Sequence, residues 1–144
     1  MTFEYRISVR FEHCDPAGIV FYPRYFGMLA AAASAWLTAT TGWNERHLHG
    51  MRGECIHPQR MHCHFQRPSR LGDVLDIRLD FAVADSNALH ADFALTCGDE
   101  SRMTGELELA YLALRPEPHA TALPARLLDS LAGGTATNAT LCSN

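Results

Sequence analysis

The sequence predicts an α+β fold in which an antiparallel five-stranded sheet wraps around one long helix. Three observations carry that prediction: an alternating strand pattern near the N-terminus, one long helical pattern after it, and four more alternating segments with short connections. The 144 residues suit a single domain, and an apolar fraction of 47% suits a packed core.

Phe3, Tyr5, Ile7, Val9 and Phe11 alternate with Glu4, Arg6, Ser8, Arg10 and Glu12, the period of a strand with one buried face. From Pro23 to about Thr41 the period becomes helical through Tyr25, Leu29, Ala32 and Trp36. Pro23 suits the first turn and Gly42 the end. Ala30 to Ala33, with Ala35, make the helix slim in its middle, so a sheet can approach its backbone closely. Trp43 to Pro58 has no clear period and reads as a loop or irregular connection.

Met61, Cys63 and Phe65 alternate with His62, His64 and Gln66. After the break from Pro68 to Gly72 come Leu75, Ile77, Leu79, Phe81 and Val83 opposite Asp76, Arg78 and Asp80. Asp85-Ser86-Asn87 is a turn signal, which makes the next run, Leu89 to Cys97, the return strand of a hairpin. Gly98 to Ser101 supplies another turn. The last strand is apolar on both faces from Leu109 to Leu114 and is therefore placed centrally in the sheet. A short helix is expected from about Pro124 to Leu131. This gives a domain over residues 1–132 and a flexible, small and polar tail over 133–144.

A net charge of -4 without a single lysine argues against a nucleic-acid partner. No run is long enough to span a bilayer, and Glu4 and Arg6 precede any block that could serve as a signal, so a soluble, cytoplasmic protein is expected. Five scattered cysteines suit free thiols in a reducing compartment. Cys55, His57, His62, Cys63 and His64 have the side chains of a zinc site, but along a strand His62 and His64 face away from Cys63, and no metal is predicted. No glycine-rich phosphate loop or dinucleotide fingerprint is present, so no cofactor is expected. Arg60, Arg67 and Arg70 are candidates to meet phosphates, with solvated surface arginines as the competing reading.

The chemistry concentrates in the stretch from His13 to Tyr25. Asp15 stands in a Pro/Gly turn shortly before the helix start. A helix entrance presents unpaired N–H groups and partial positive charge, which hold an oxygen that is gaining negative charge. Asp15 and those amides would form a two-part catalytic device. The competing reading is a plain turn, with Asp15 bonded to its own backbone. His13 reads as a bystander at a strand end, and the Tyr22 ring as packing.

Asp15-Pro16-Ala17-Gly18-Ile19-Val20, followed by Tyr22-Pro23 and Tyr25, resembles the hotdog-fold acyl-CoA thioesterases of the 4-hydroxybenzoyl-CoA thioesterase family. Strand order and Gly72-Asp73-Val74-Leu75 extend the resemblance over residues 3 to 116. It implies a hotdog fold, Asp15 as the catalytic carboxylate, and the Tyr22 backbone N–H as the group that faces the thioester carbonyl. It also implies hydrolysis of an acyl-CoA, with aromatic acyl groups among the candidates, to free acid and CoA. A homodimer or homotetramer with sites at the subunit interface follows as well. His57 is then a candidate for the neighbourhood of the acyl pocket. Two positions depart from the bacterial members: Ala30 replaces a helix aspartate that engages a phenol, and Asp85-Ser86-Asn87 replaces a basic cluster at the CoA phosphates. An acyl-carrier-protein thioesterase and a non-catalytic acyl-CoA-binding protein are the alternatives. A hydratase or dehydratase on the same fold finds no matched Asp/His spacing.

Overall fold

The computed structural model of the protein describes residues 1–133 and the backbone of residues 137–138. Its elements run β1 (Thr2–Ser8), α1 (Pro23–Thr41), β2 (Glu54–Phe65), β3 (Val74–Asp85), β4 (Ala88–Cys97), β5 (Glu100–Ala113), β6 (His119–Ala120), α2 (Ala125–Gly133) and β7 (Thr137–Asn138). The sheet order is β2-β5-β4-β3-β1-β7, with β6 beside β5. The five principal strands pair antiparallel, as expected. The sheet gains two further strands of two residues each, β6 and β7.

α1 matches the predicted span because its apolar residues keep one face. Tyr25, Met28, Leu29, Ala32, Ala33, Trp36 and Leu37 are buried at spacings of three and four. They pack on the inward residues of β3, β4 and β5. Ala32 and Ala33 let the sheet close on the helix, and Trp36 stacks on Phe81 with ring centroids 3.6 Å apart. Each large side chain removed from water in this way contributes about 1.5–3 kcal/mol. The helix stops at Gly42, whose φ of 77° is open to glycine at little cost and whose N–H bonds to Thr38 O.

Three expectations are corrected. β1 ends at Ser8 rather than Phe11, because Val9 exchanges backbone hydrogen bonds with Gly72 and Asp73 instead of continuing the β1–β3 ladder. Phe11–His13 then turns as a 3-10 helix, closed by the Arg10 N–H on His13 Nδ1 at 2.8 Å, and Phe11 is left exposed. The loop or irregular connection expected from Trp43 to Pro58 is shorter: it contains a π-helical turn over His47–Arg52, and β2 already begins at Glu54. Pro58 disguised that start. It lies at a register shift in a strand at the end of the sheet, where a missing N–H is tolerated.

β5 is flanked by β2 and β4, consistent with its two apolar faces. α2 forms where the short helix was expected and buries Leu127. Of the expected tail, Gly133 closes α2 and Thr137–Asn138 pair in parallel with Phe3 and Glu4. Residues 134–136 and 139–144 lie outside the described residues.

Candidate active site

Cys14 to Val20 close into a small hairpin between β1 and α1. Cys14 and Val20 face each other across an antiparallel bridge, the Asp15 N–H donates to Ile19 O at 2.9 Å, and the Gly18 N–H donates to Asp15 O at 3.0 Å. Gly18 has φ of 75°, a conformation that a side chain would strain. The Asp15 carboxylate is half-buried, and its Oδ1 accepts the Ala17 N–H at 2.9 Å. The self-bonded turn considered as the bland alternative is thus present. It occupies one oxygen only, and among the described residues Oδ2 has no donor.

The helix entrance follows directly. The Phe21 N–H is spent on His13 O, the Arg24 N–H on Phe21 O, and the Tyr25 N–H on Tyr22 O, while Pro23 has none. Among the described residues the Tyr22 N–H makes no hydrogen bond, so it is the donor this entrance keeps open. The Tyr22 ring is exposed and lies edge-on to Phe21, Phe26 and Phe65 at 5.5, 6.5 and 6.5 Å. An aromatic wall therefore stands beside the open amide.

A cavity of about 400 Å³ runs between α1, the π-helical turn, β2 and β5. Its walls are apolar through Phe26, Leu29, Ala30, Leu48, Ile56 and Met61. Ser34 donates to Glu45 at 2.8 Å on its polar side, where His49 also stands. Neither Asp15 nor Tyr22 lines it, but Phe26, one turn into α1, both touches the Tyr22 ring and lines the cavity. Ile56 and Pro58 line it and His57 does not, as strand alternation requires.

Other candidates resolve plainly. Among the described residues no group of three or more His, Cys, Asp or Glu side chains is arranged to hold a metal ion. Arg67 pairs with Glu100 at 3.2 Å and Arg60 with Glu108 at 3.8 Å, whereas Arg70 bridges Ile19 through its backbone and adjoins the Asp15 hairpin. Burial raises the Cys55 thiol above its ordinary range, which disfavours a reactive thiolate.

Two polar clusters escaped the sequence reading. Tyr111 donates to Glu54 at 2.6 Å, and Arg52 pairs with the same carboxylate at 2.7 Å while lying over the Trp43 ring. Burial first, and then the Glu54 carboxylate, push the Tyr111 phenol well above its ordinary value. Asp73 accepts the Arg70 N–H at 2.8 Å and Arg102 at 2.7 Å, and those two bonds hold its carboxyl below the usual range. Gly72-Asp73 was visible as the entry to β3, but nothing in the sequence announced Arg102 as its partner.

Neither a protein-family model nor a curated protein sequence matches the chain. Solved structures do match. The 4-hydroxybenzoyl CoA thioesterase of Pseudomonas sp. strain CBS-3 is 20% identical, with a TM-score of 0.80 over 90% of this chain and 98% of that one. Slr0204, a 1,4-dihydroxy-2-naphthoyl-CoA thioesterase of Synechocystis, is 19% identical, with a TM-score of 0.81 over 92% and 96%. The gentisyl-coenzyme A thioesterase BH1999 is 20% identical, with a TM-score of 0.78 over 87% and 98%. The protein has the fold of these enzymes, the hotdog fold. Among the described residues no helix is long and apolar enough to cross a membrane.

Proposed function

We propose that the protein is a thioesterase that hydrolyses an acyl-CoA, with an aromatic acyl group the favoured class, to the free acid and CoA. The observation that carries this reading is the pairing of a carboxylate on a rigid hairpin, one oxygen still open, with an adjoining helix entrance whose Tyr22 N–H is unspent. Asp15 either attacks the thioester carbonyl or takes a proton from a water that attacks it. The Tyr22 N–H receives the oxygen on which charge develops. The carbon–sulfur bond then breaks, and CoA leaves as the thiol once its sulfur has gained a proton. In the nucleophilic route, water cleaves the resulting anhydride to give the acid and restore Asp15. No metal or cofactor enters either route.

The three thioesterases named above act on aromatic acyl-CoA thioesters, which supports the same class here. The cavity that starts at Phe26 is the acyl chamber in this reading. Ala30 leaves it wide where a helix aspartate would stand, so this chain does not read a phenol at that position. Among the described residues β2 has no neighbour on its outer side and leaves Phe65 48% exposed, which supports a homodimer joined through β2, and pairs of such dimers as tetramers. Each site then lies against the partner subunit. The four described cysteines are free, which suits the cytoplasm.

A panel of CoA and acyl-carrier-protein thioesters, followed by thiol release, tests the reading. On the best substrate, Asp15→Asn should lose about 10³-fold or more in kcat, because a nucleophile or base is deleted while the shape is kept. Equal turnover by the two proteins would remove Asp15 from the chemistry. Tight acyl-CoA binding without turnover by the wild type would mark a binding protein instead.

A further inference from the structure

The connection between β2 and β3 also holds the Asp15 hairpin. Ser69 O accepts the Val20 N–H at 2.8 Å, the Leu71 N–H donates to Gly18 O at 3.1 Å, and Arg70 bridges Ile19. Three consecutive residues thus grip the closing limb of the hairpin. On its other side the connection is tied to the end of β1, through the Gly72 N–H on Val9 O and the Val9 N–H on Asp73 O.

One acid–base pair fixes this connection to the sheet. Asp73 Oδ2 accepts both the Arg70 N–H and Arg102 Nη1, and the same Nη1 donates to Pro68 O at 3.1 Å. Arg102 Nε lies 2.7 Å from Glu100 Oε1, an ion pair on the other side of the guanidinium in which, among the described residues, Nε makes no hydrogen bond. The Arg102 side chain is only 11% exposed and that of Asp73 24%, so water replaces either partner poorly. Arg102 stands in β5 at the register shift of its pairing with β4, and its backbone carbonyl accepts the Gln66 and Arg67 N–H groups at 2.9 and 3.3 Å.

We infer that Asp73 and Arg102 are positioning residues for the reaction proposed above. They set the height of the Asp15 hairpin against the helix entrance and hence the aim of the Asp15 carboxylate at a carbonyl held by the Tyr22 N–H. The contacts run from Arg102 to Asp73 and Pro68, then through Ser69, Arg70 and Leu71 to Gly18, Ile19 and Val20, which close on Asp15. The inference rests on the thioesterase reading for its chemistry, but the mechanical link does not depend on it.

Arg102→Lys separates charge from geometry. The ammonium keeps the cation, but it lacks the planar fork that reaches Asp73, Pro68 and Glu100 together. Misplacing a reacting group by about 1 Å costs on the order of 10²-fold, so kcat should fall roughly 10- to 100-fold with KM little changed. Asp73→Asn keeps an acceptor oxygen and should fall less. Leu127→Ala, buried in α2 away from the hairpin, serves as a destabilised control that keeps its kcat.

Hydrogen exchange supplies a second readout. In Arg102→Lys the Gly18, Val20 and Leu71 amides should exchange faster while those of β3 and β4 stay protected. Full kcat in Arg102→Lys would overturn the inference, and so would faster exchange spread evenly over the domain as in Leu127→Ala. If the wild type hydrolyses no thioester, the proposed function fails on its own, and the exchange pattern still decides whether the pair holds the hairpin.

Discussion

Strands β4 and β2 differ in what flanks them. β4 lies between β3 and β5 under α1, and its Leu89, Ala91 and Leu95 are wholly buried, with Phe93 at 4%. β2 has the same alternation of apolar and polar residues but among the described residues pairs with β5 alone, and its Cys63 and Phe65 stay exposed. Its first residues are well anchored, since Glu54 holds Tyr111 and Arg52. Alternation thus records the surface a strand is built to cover, and among the described residues that covering is complete for β4 and incomplete for β2. In the homodimer proposed above, a second copy would cover the far half of β2.

Gly105 in β5 couples the two strands. A Cβ placed there would sit 2.1 Å from His62 O in β2, 2.6 Å from Phe93 Cζ in β4 and 3.0 Å from Cys63 Cα. A backbone oxygen has no rotamer to yield with, so β2 must shift. Gly105→Ala should cost about 3 kcal/mol or more in a denaturant titration. If the homodimer proposed above joins through β2, subunit association should weaken with it in sedimentation. Unchanged stability together with unchanged association would separate β2 from the interface.

A smaller effect sharpens the contrast between the open edge and the pinned connection before β3. The Arg70 N–H and then Arg102 hold the Asp73 carboxyl below its ordinary value. A folded-state value below the unfolded one stabilises the fold above the unfolded pKa, about 3.9, and that contribution disappears as pH falls through the folded value. At pH 7 the wild type should exceed Asp73→Asn by about 1.5–3 kcal/mol, the worth of hydrogen bonds to a charged group. The gap should narrow below about pH 4. A gap that stays constant through acid titration would mean that ionisation of Asp73 contributes nothing.

Much of this architecture is legible in the sequence wherever the chain's own periodicity decides the structure. The span of α1, the β3–β4 hairpin at Ser86-Asn87 and the inward residues of β4 and β5 all follow from local pattern. The Asp15 hairpin is legible too, because its shape depends on residues within a few positions, down to the Asx bond to Ala17. Legibility ends where long-range partners decide. β1 stops early because Val9 bonds to Gly72 and Asp73, and Arg102 finds Asp73 from 29 residues away. The cavity draws on several separate elements, so no single run of sequence could display it.

The smallest expected effect concerns the outward face of β4 and has the opposite sign. Asp92 stands directly across from Asp80 on β3 and Glu106 on β5, so three carboxylates form one row over neighbouring strands. The outer members of the row have relief: Thr2 and Arg78 serve Asp80, and His62 lies across from Glu106. The middle one, 66% exposed, has among the described residues the His90 ring alone, 3.3 Å away. Like charges directly opposite each other destabilise a sheet, so Asp92→Asn should raise stability by about 0.2–1 kcal/mol. Salt distinguishes this cause from any change in packing, because the screening length shrinks from about 10 Å at 0.1 M to about 3 Å at 1 M. The gain should therefore fade at high ionic strength, whereas the loss in Gly105→Ala, which is steric, should not. A gain indifferent to salt would show that the row of carboxylates costs β4 nothing and that the effect arises from the side-chain exchange itself.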